Sequence, residues 1–110
     1  MRARGNGCEE RRNSVLESAV EAKLVRGVKD LGGIAYKFTS PGTAGVPDRI
    51  VVLPGGRVIF AELKTDTGRL SPGQKVQLDR LRALGAEAVV VRGPSGVVEF
   101  LERCRKGAQK

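Results

Sequence analysis

The sequence contains no histidine. Acid–base catalysis through an imidazole, a Ser-His-Asp triad and any zinc site built with histidine are therefore excluded. Aromatic residues are few: one tyrosine, three phenylalanines and no tryptophan. So few rings do not make an extended platform on which bases could stack. The two cysteines, Cys8 and Cys104, stand near opposite ends of the chain, and their spacing matches no metal motif. They are expected to be free thiols in a reducing compartment. No apolar run approaches the ~20 residues of a membrane-spanning helix. Residues Met1 to Arg12 are polar and basic and lack the apolar stretch of a secretory signal. A soluble, cytoplasmic protein without a membrane partner is expected.

What is present fits one folded domain. The chain has 110 residues, 40% of them hydrophobic, enough for a single core without disulfides. Lysine and arginine number 20 against 12 acidic residues, giving a formal charge of +8. Such a surplus in a short chain favours a polyanionic partner met through phosphate contacts.

The organisation expected is a flexible basic tail over 1–13, a folded domain over 14–104 and a second basic tail over 105–110. Leu16, Val20, Leu24, Val28 and Leu31 recur at helical spacing, which predicts a helix from Ser14 to Leu31. Ser14 and Glu17 fit a capping box at its start, and Gly32-Gly33 stops it. Ile34–Phe38 reads as a short strand, and residues 39–47 as a loop rich in glycine, proline and threonine. Arg49–Leu53 and Arg57–Lys64 are β-rich runs divided by Pro54-Gly55-Gly56, a hairpin signature. A second helix begins at Ser71, with Pro72 at its first position and Gln74 completing another capping box. Leu78, Leu81 and Leu84 lie near one face, and Gly85 ends it. Ala86–Val91 is a strand of small and β-branched residues, and a last short helix is expected over Ser95–Arg105. The order α-β-β-β-α-β predicts an α/β fold with a mixed sheet flanked by helices.

The chemistry gathers at Pro47-Asp48 and at Glu62-Leu63-Lys64. Glu62 and Lys64 lie two apart on one strand and so share a face, while Leu63 points into a core. A hairpin closed at residues 54–56 brings Asp48 to them at its open end. Two carboxylates and an ammonium would then converge. Mg²⁺ or Mn²⁺ takes oxygen ligands of this kind, completed by water and substrate phosphate. Such an ion acidifies water and offsets charge at phosphorus, and the ammonium can orient the attacking hydroxide.

These residues lie in a wider pattern. Lys37-Phe38-Thr39-Ser40-Pro41-Gly42, Gly45-Val46-Pro47-Asp48-Arg49, Phe60-Ala61-Glu62-Leu63-Lys64 and Leu70-Ser71-Pro72-Gly73-Gln74 follow one another in order. From about Glu21 to Arg92 the chain resembles the VRR-NUC domains of the PD-(D/E)xK nuclease superfamily, above all their stand-alone, phage-type members. The resemblance implies a restriction-endonuclease-like core and a structure-selective DNA endonuclease that depends on a divalent metal. It implies metal ligation by Asp48, Glu62 and the backbone carbonyl of Leu63, with water positioned by Lys64 and with Gln74 close to the site. The family also places an acidic residue on the first helix. Both Glu17 and Glu21 flank the apolar stripe. Glu21, followed by Leu24-Val25 and the Gly-Gly stop, matches the family pattern, while Glu17 has a role in the cap. Lys37, Ser40, Gly42, Arg49 and Arg69 are the residues expected to meet nucleic acid. Branched DNA such as a four-way junction is the substrate expected, cut by a homodimer, because one site makes one nick and symmetric nicking asks for a two-fold pair. A non-catalytic nucleic-acid-binding domain, or a monomeric nuclease of flaps, forks or RNA, is the alternative.

Overall fold

The computed structural model describes the backbone of residues 2–108 and the side chains of residues 16–107. Its elements are helix α1 (Arg2–Asp30), strands β1 (Ile34–Lys37), β2 (Arg49–Val52) and β3 (Val58–Lys64), helix α2 (Pro72–Ala83), strand β4 (Glu87–Arg92) and helix α3 (Gly93–Ala108). The sheet runs β1-β2-β3-β4. The first two pairings are antiparallel and β3–β4 is parallel. The mixed sheet follows from the connections. The short turn between β2 and β3 can only reverse the chain, whereas the crossover through α2 returns it parallel.

The β2–β3 turn shows why its sequence suits it. Gly55 and Gly56 both hold positive φ, at 91° and 88°. Most other side chains would strain this backbone. Gly56 N–H donates to the Leu53 carbonyl at 2.9 Å and closes the turn.

The core lies on one face of the sheet. Ala35, Val51, Ile59, Ala61, Leu63 and Val91 point from the strands toward Val20, Leu24 and Val28 of α1 and Val97, Phe100 and Cys104 of α3. Their alternation along the strands and their 3–4 spacing along the helices put each of them inside. Helix α2 lies against β4, where Leu78 and Ala88 are buried.

Three expectations need correction. The segment 1–13, expected as a tail, is helical from Arg2, so α1 passes straight through Ser14. A helix that already runs on the N-terminal side of Ser14 does not start there, so the position is not an N-cap. Arg and Glu dominate residues 9–12, and no proline interrupts the turn. The second tail is likewise helical as far as Ala108, because α3 is longer than Ser95–Arg105. Cys104, inside the expected last helix, is buried in the core at 2% exposure, and its thiol is free. Cys8 lies outside the residues whose side chains are described. Leu84, finally, stands outside the core at 80% exposure.

The other face of β1–β3 is apolar but only partly covered. Ile34, Val52 and Val58 form one cross-strand row, and Tyr36, Ile50 and Phe60 form the next. None of the six is buried.

Candidate active site

Asp48 leads into β2, and the antiparallel pairing with β3 puts it beside Leu63. The Leu63 N–H donates to Asp48 Oδ2 at 2.8 Å. Pro47 is fully buried and anchors the chain just before this carboxylate. Glu62 and Lys64 come from the C-terminal half of β3 on a shared face. Lys64 Nζ lies 3.6 Å from Glu62 Oε2.

Gln74 enters from α2 with its amide orientation fixed. The Ser71 N–H donates to Gln74 Oε1 at 2.9 Å, and the Gln74 N–H donates to Ser71 Oγ at 3.1 Å. The capping box therefore uses the amide oxygen and turns Nε2 inward, where it donates to Glu62 Oε2 at 2.9 Å. Cap and site contact are two ends of one side chain. The loop before Asp48 holds this helix start in place. Gly45, at φ 86°, lies so close to Gly73 that a Cβ would come within 2.6 Å of its backbone.

Glu62 is the electrostatic centre. It is 1% exposed, and its Oε1 has no hydrogen-bond partner among the described residues. Burial, then the charge of Asp48, push its carboxyl up from 4.5 to about 7, against the opposing pull of Lys64. An unpaired carboxylate oxygen taken out of water is costly unless something cationic meets it.

A cavity of about 190 Å³ opens here, lined by Glu17, Glu21, Asp48, Glu62, Leu63, Lys64 and Gln74. All the residues expected to catalyse or to hold metal meet in it. Glu17 joins them. Helical spacing alone does not choose between Glu17 and Glu21, and both line the cavity. Lys37, Ser40, Gly42, Arg49 and Arg69 do not line the cavity. Lys37, Gly42 and Arg69 are exposed, and Ser40 is half-buried in the loop.

Arg49 is placed differently from the expectation that it meets nucleic acid. Its Nε and Nη2 donate to Glu21 Oε2 at 3.2 and 2.7 Å, and Nη1 donates to the Ala35 carbonyl at 3.1 Å. The guanidinium is thus engaged inside the domain, with the side chain only 16% exposed.

Whether these residues suit a divalent cation can be judged from the donor atoms. The orphaned Glu62 Oε1 and the adjacent Asp48 supply hard oxygens and excess negative charge, which fits Mg²⁺ or Mn²⁺. Among the described residues, no group of three or more Asp, Glu or Cys side chains is gathered as a ready cage.

A mixed sheet that sets an aspartate, a Glu-x-Lys pair and a helix glutamine round one acidic cavity defines a domain of the nuclease class. The profile of the VRR-NUC domain matches residues 6–95. A protein of Acyrthosiphon pisum secondary endosymbiont phage 1, named "Putative nuclease p44", is 47% identical over 77 residues, 70% of this chain and 83% of its own. A solved structure described as a VRR_NUC domain is similar with a TM-score of 0.74 and 31% identity, over 78% of this chain and 94% of that one. The chain belongs to the VRR-NUC domain family.

Proposed function

We propose that this chain is a divalent-metal-dependent endonuclease acting on branched DNA, with Asp48, Glu62 and Lys64 as its reactive centre. The observation that carries the metal dependence is the buried, unpartnered Oε1 of Glu62 beside Asp48. A polyanionic substrate alone would repel these two carboxylates. A bound Mg²⁺ or Mn²⁺ would supply acidified water and charge neutralisation at phosphorus.

The chain's own groups have separate tasks. Asp48 and Glu62, with the Leu63 carbonyl, would hold the ion. Gln74 Nε2 orients Glu62 through Oε2 and leaves Oε1 for that purpose. Lys64 Nζ, half-buried near Glu62, would hold the attacking water by hydrogen bonding and offset charge developing on phosphate. The +8 charge draws the strand in, and exposed Lys37 and Arg69 would meet the phosphates.

Homodimerisation is supported by the apolar block of Ile34, Tyr36, Ile50, Val52, Val58 and Phe60. It carries no charged side chain, and Tyr36 is 56% exposed. Exposed apolar surface of this kind marks an interface, and phosphate would find no cation on it. No helix among the described residues is long and apolar enough to cross a membrane.

Asp48→Ala, Glu62→Ala and Lys64→Ala should each remove most cleavage of a labelled four-way junction while leaving the fold intact by circular dichroism. Wild-type rates in all three would refute the assignment. Light scattering after size exclusion should give a dimer for the wild type and a monomer for Tyr36→Asp.

A further inference from the structure

We propose that Arg49 is a positioning residue for this nuclease site, a clamp that fixes the Glu21 carboxylate of α1 relative to Asp48. The proposal rests on the reading of the cavity as a metal-dependent active site.

The residue's connections span three elements. Arg49 follows Asp48 in the chain, so its backbone moves with that carboxylate. Its guanidinium grips Glu21 Oε2 with Nε and Nη2 and ties Nη1 to the carbonyl of Ala35 on β1. One planar group thereby links α1, β1 and the start of β2. Arg49 is paired across the strands with Lys37 on one side and Ala61 on the other, on the face that packs against α1. A rigid fork can hold two directions at once, which a lysine ammonium on a flexible stem cannot.

The geometry also divides the work of Glu21. Both donors to it from Arg49 use Oε2. Its Oε1 accepts no hydrogen bond among the described residues, and Glu21 lines the cavity. Arg49 thus fixes one oxygen and leaves the other available to the site. It also balances charge where Glu17, Glu21, Asp48 and Glu62 all border one cavity and Lys64 is the cation lining it. Loss of the fork would let the Glu21 carboxylate swing and would leave that repulsion less balanced. A displacement of about 1 Å in a reacting constellation can cost about 100-fold in rate.

A double-mutant cycle tests this. Arg49→Met, Arg49→Lys, Glu21→Gln and their combinations would be made in the full chain, and folding checked by thermal unfolding in EDTA. Two quantities would then be read: the Mg²⁺ concentration giving half the maximal thermal shift without DNA, and kcat and KM for junction cleavage at saturating Mg²⁺. The expected result is a kcat roughly 10- to 100-fold lower in Arg49→Met, a higher Mg²⁺ requirement and little change in KM. Arg49→Lys should fail to restore kcat, and the Arg49 effect should disappear in the Glu21→Gln background. If Arg49→Met does not fold, the Arg49→Lys cycle is judged by the same criteria. A raised KM and shallower salt dependence with kcat unchanged would make Arg49 a phosphate contact and overturn the clamp. Losses that multiply independently of Glu21 would overturn it too. A wild type that neither responds to Mg²⁺ nor cuts any DNA would overturn the nuclease reading and the clamp with it, whereas an active wild type with a failed cycle overturns the clamp alone.

Discussion

Replacing Glu62 by glutamine should make the metal-free protein progressively more stable relative to wild type as pH rises from about 4.5 to about 7. Burial and the Asp48 charge raise this carboxyl from 4.5 to about 7 in the folded chain. Between those values the unfolded chain has released its proton while the folded chain keeps it. Stability therefore falls as pH rises through this window and stays low above it. At about 1.36 kcal/mol per tenfold change in the proton equilibrium, the rise corresponds to about 3 kcal/mol. The group is 1% exposed, so solvent screens little of this. Glutamine carries no proton to lose and should escape the penalty. Any fixed difference between the two side chains is independent of pH and cancels when two pH values are compared. Urea unfolding in EDTA at about pH 4.5 and pH 8.5 measures it. The gap between Glu62→Gln and wild type should grow by up to about 3 kcal/mol in favour of the variant, and saturating Mg²⁺ should close it by stabilising the wild type. An unchanged gap between the two pH values would show that Glu62 carries no buried charge and would refute the reasoning.

Glu21→Gln should lower cleavage more than Glu17→Gln, because only Glu21 is fastened by Arg49; single-turnover rates decide the ranking. Since α1 does not start at Ser14, replacing Glu17 should change stability by less than about 0.5 kcal/mol. Gly45→Ala should lower stability by at least about 1 kcal/mol, through its positive φ and its overlap with Gly73, and should slow cleavage by shifting Gln74; urea unfolding and a kinetic assay read the two effects. Cys104, whose thiol is held above its ordinary pKa by burial, should react with a thiol reagent only as fast as the protein opens.

The sheet and the centre of the site were legible because they rest on short-range rules. The glycine pair at 55–56 marks the hairpin, and the period of two on β3 separates Glu62 and Lys64 from Leu63. Ser71-Pro72-Gly73-Gln74 announces α2, and its cap forms as expected. That the same glutamine also holds Glu62 was visible only as nearness, since the amide's orientation depends on two partners in different elements. The start of α1 was not legible, because Ser14-x-x-Glu17 satisfies the capping pattern whether or not the helix has already begun. The contact of Arg49 with Glu21 was not legible for a related reason. A basic residue beside a motif aspartate looks solvent-facing until the register turns it toward α1 and Glu21. Cys104 joins the core because it follows Val97 and Phe100 at helical spacing on the buried face of α3.

The central claim is that Asp48, Glu62 and Lys64 form a metal-dependent nuclease centre for branched DNA. The most direct test is incubation of the wild-type chain with labelled linear, flapped, forked and four-way DNA in Mg²⁺, Mn²⁺ or EDTA, with Glu62→Ala in parallel. Cleavage of the four-way substrate in either metal, with none in EDTA and none by the variant, is the expected result. Cleavage that persists in EDTA, or equal cutting by Glu62→Ala, would contradict it.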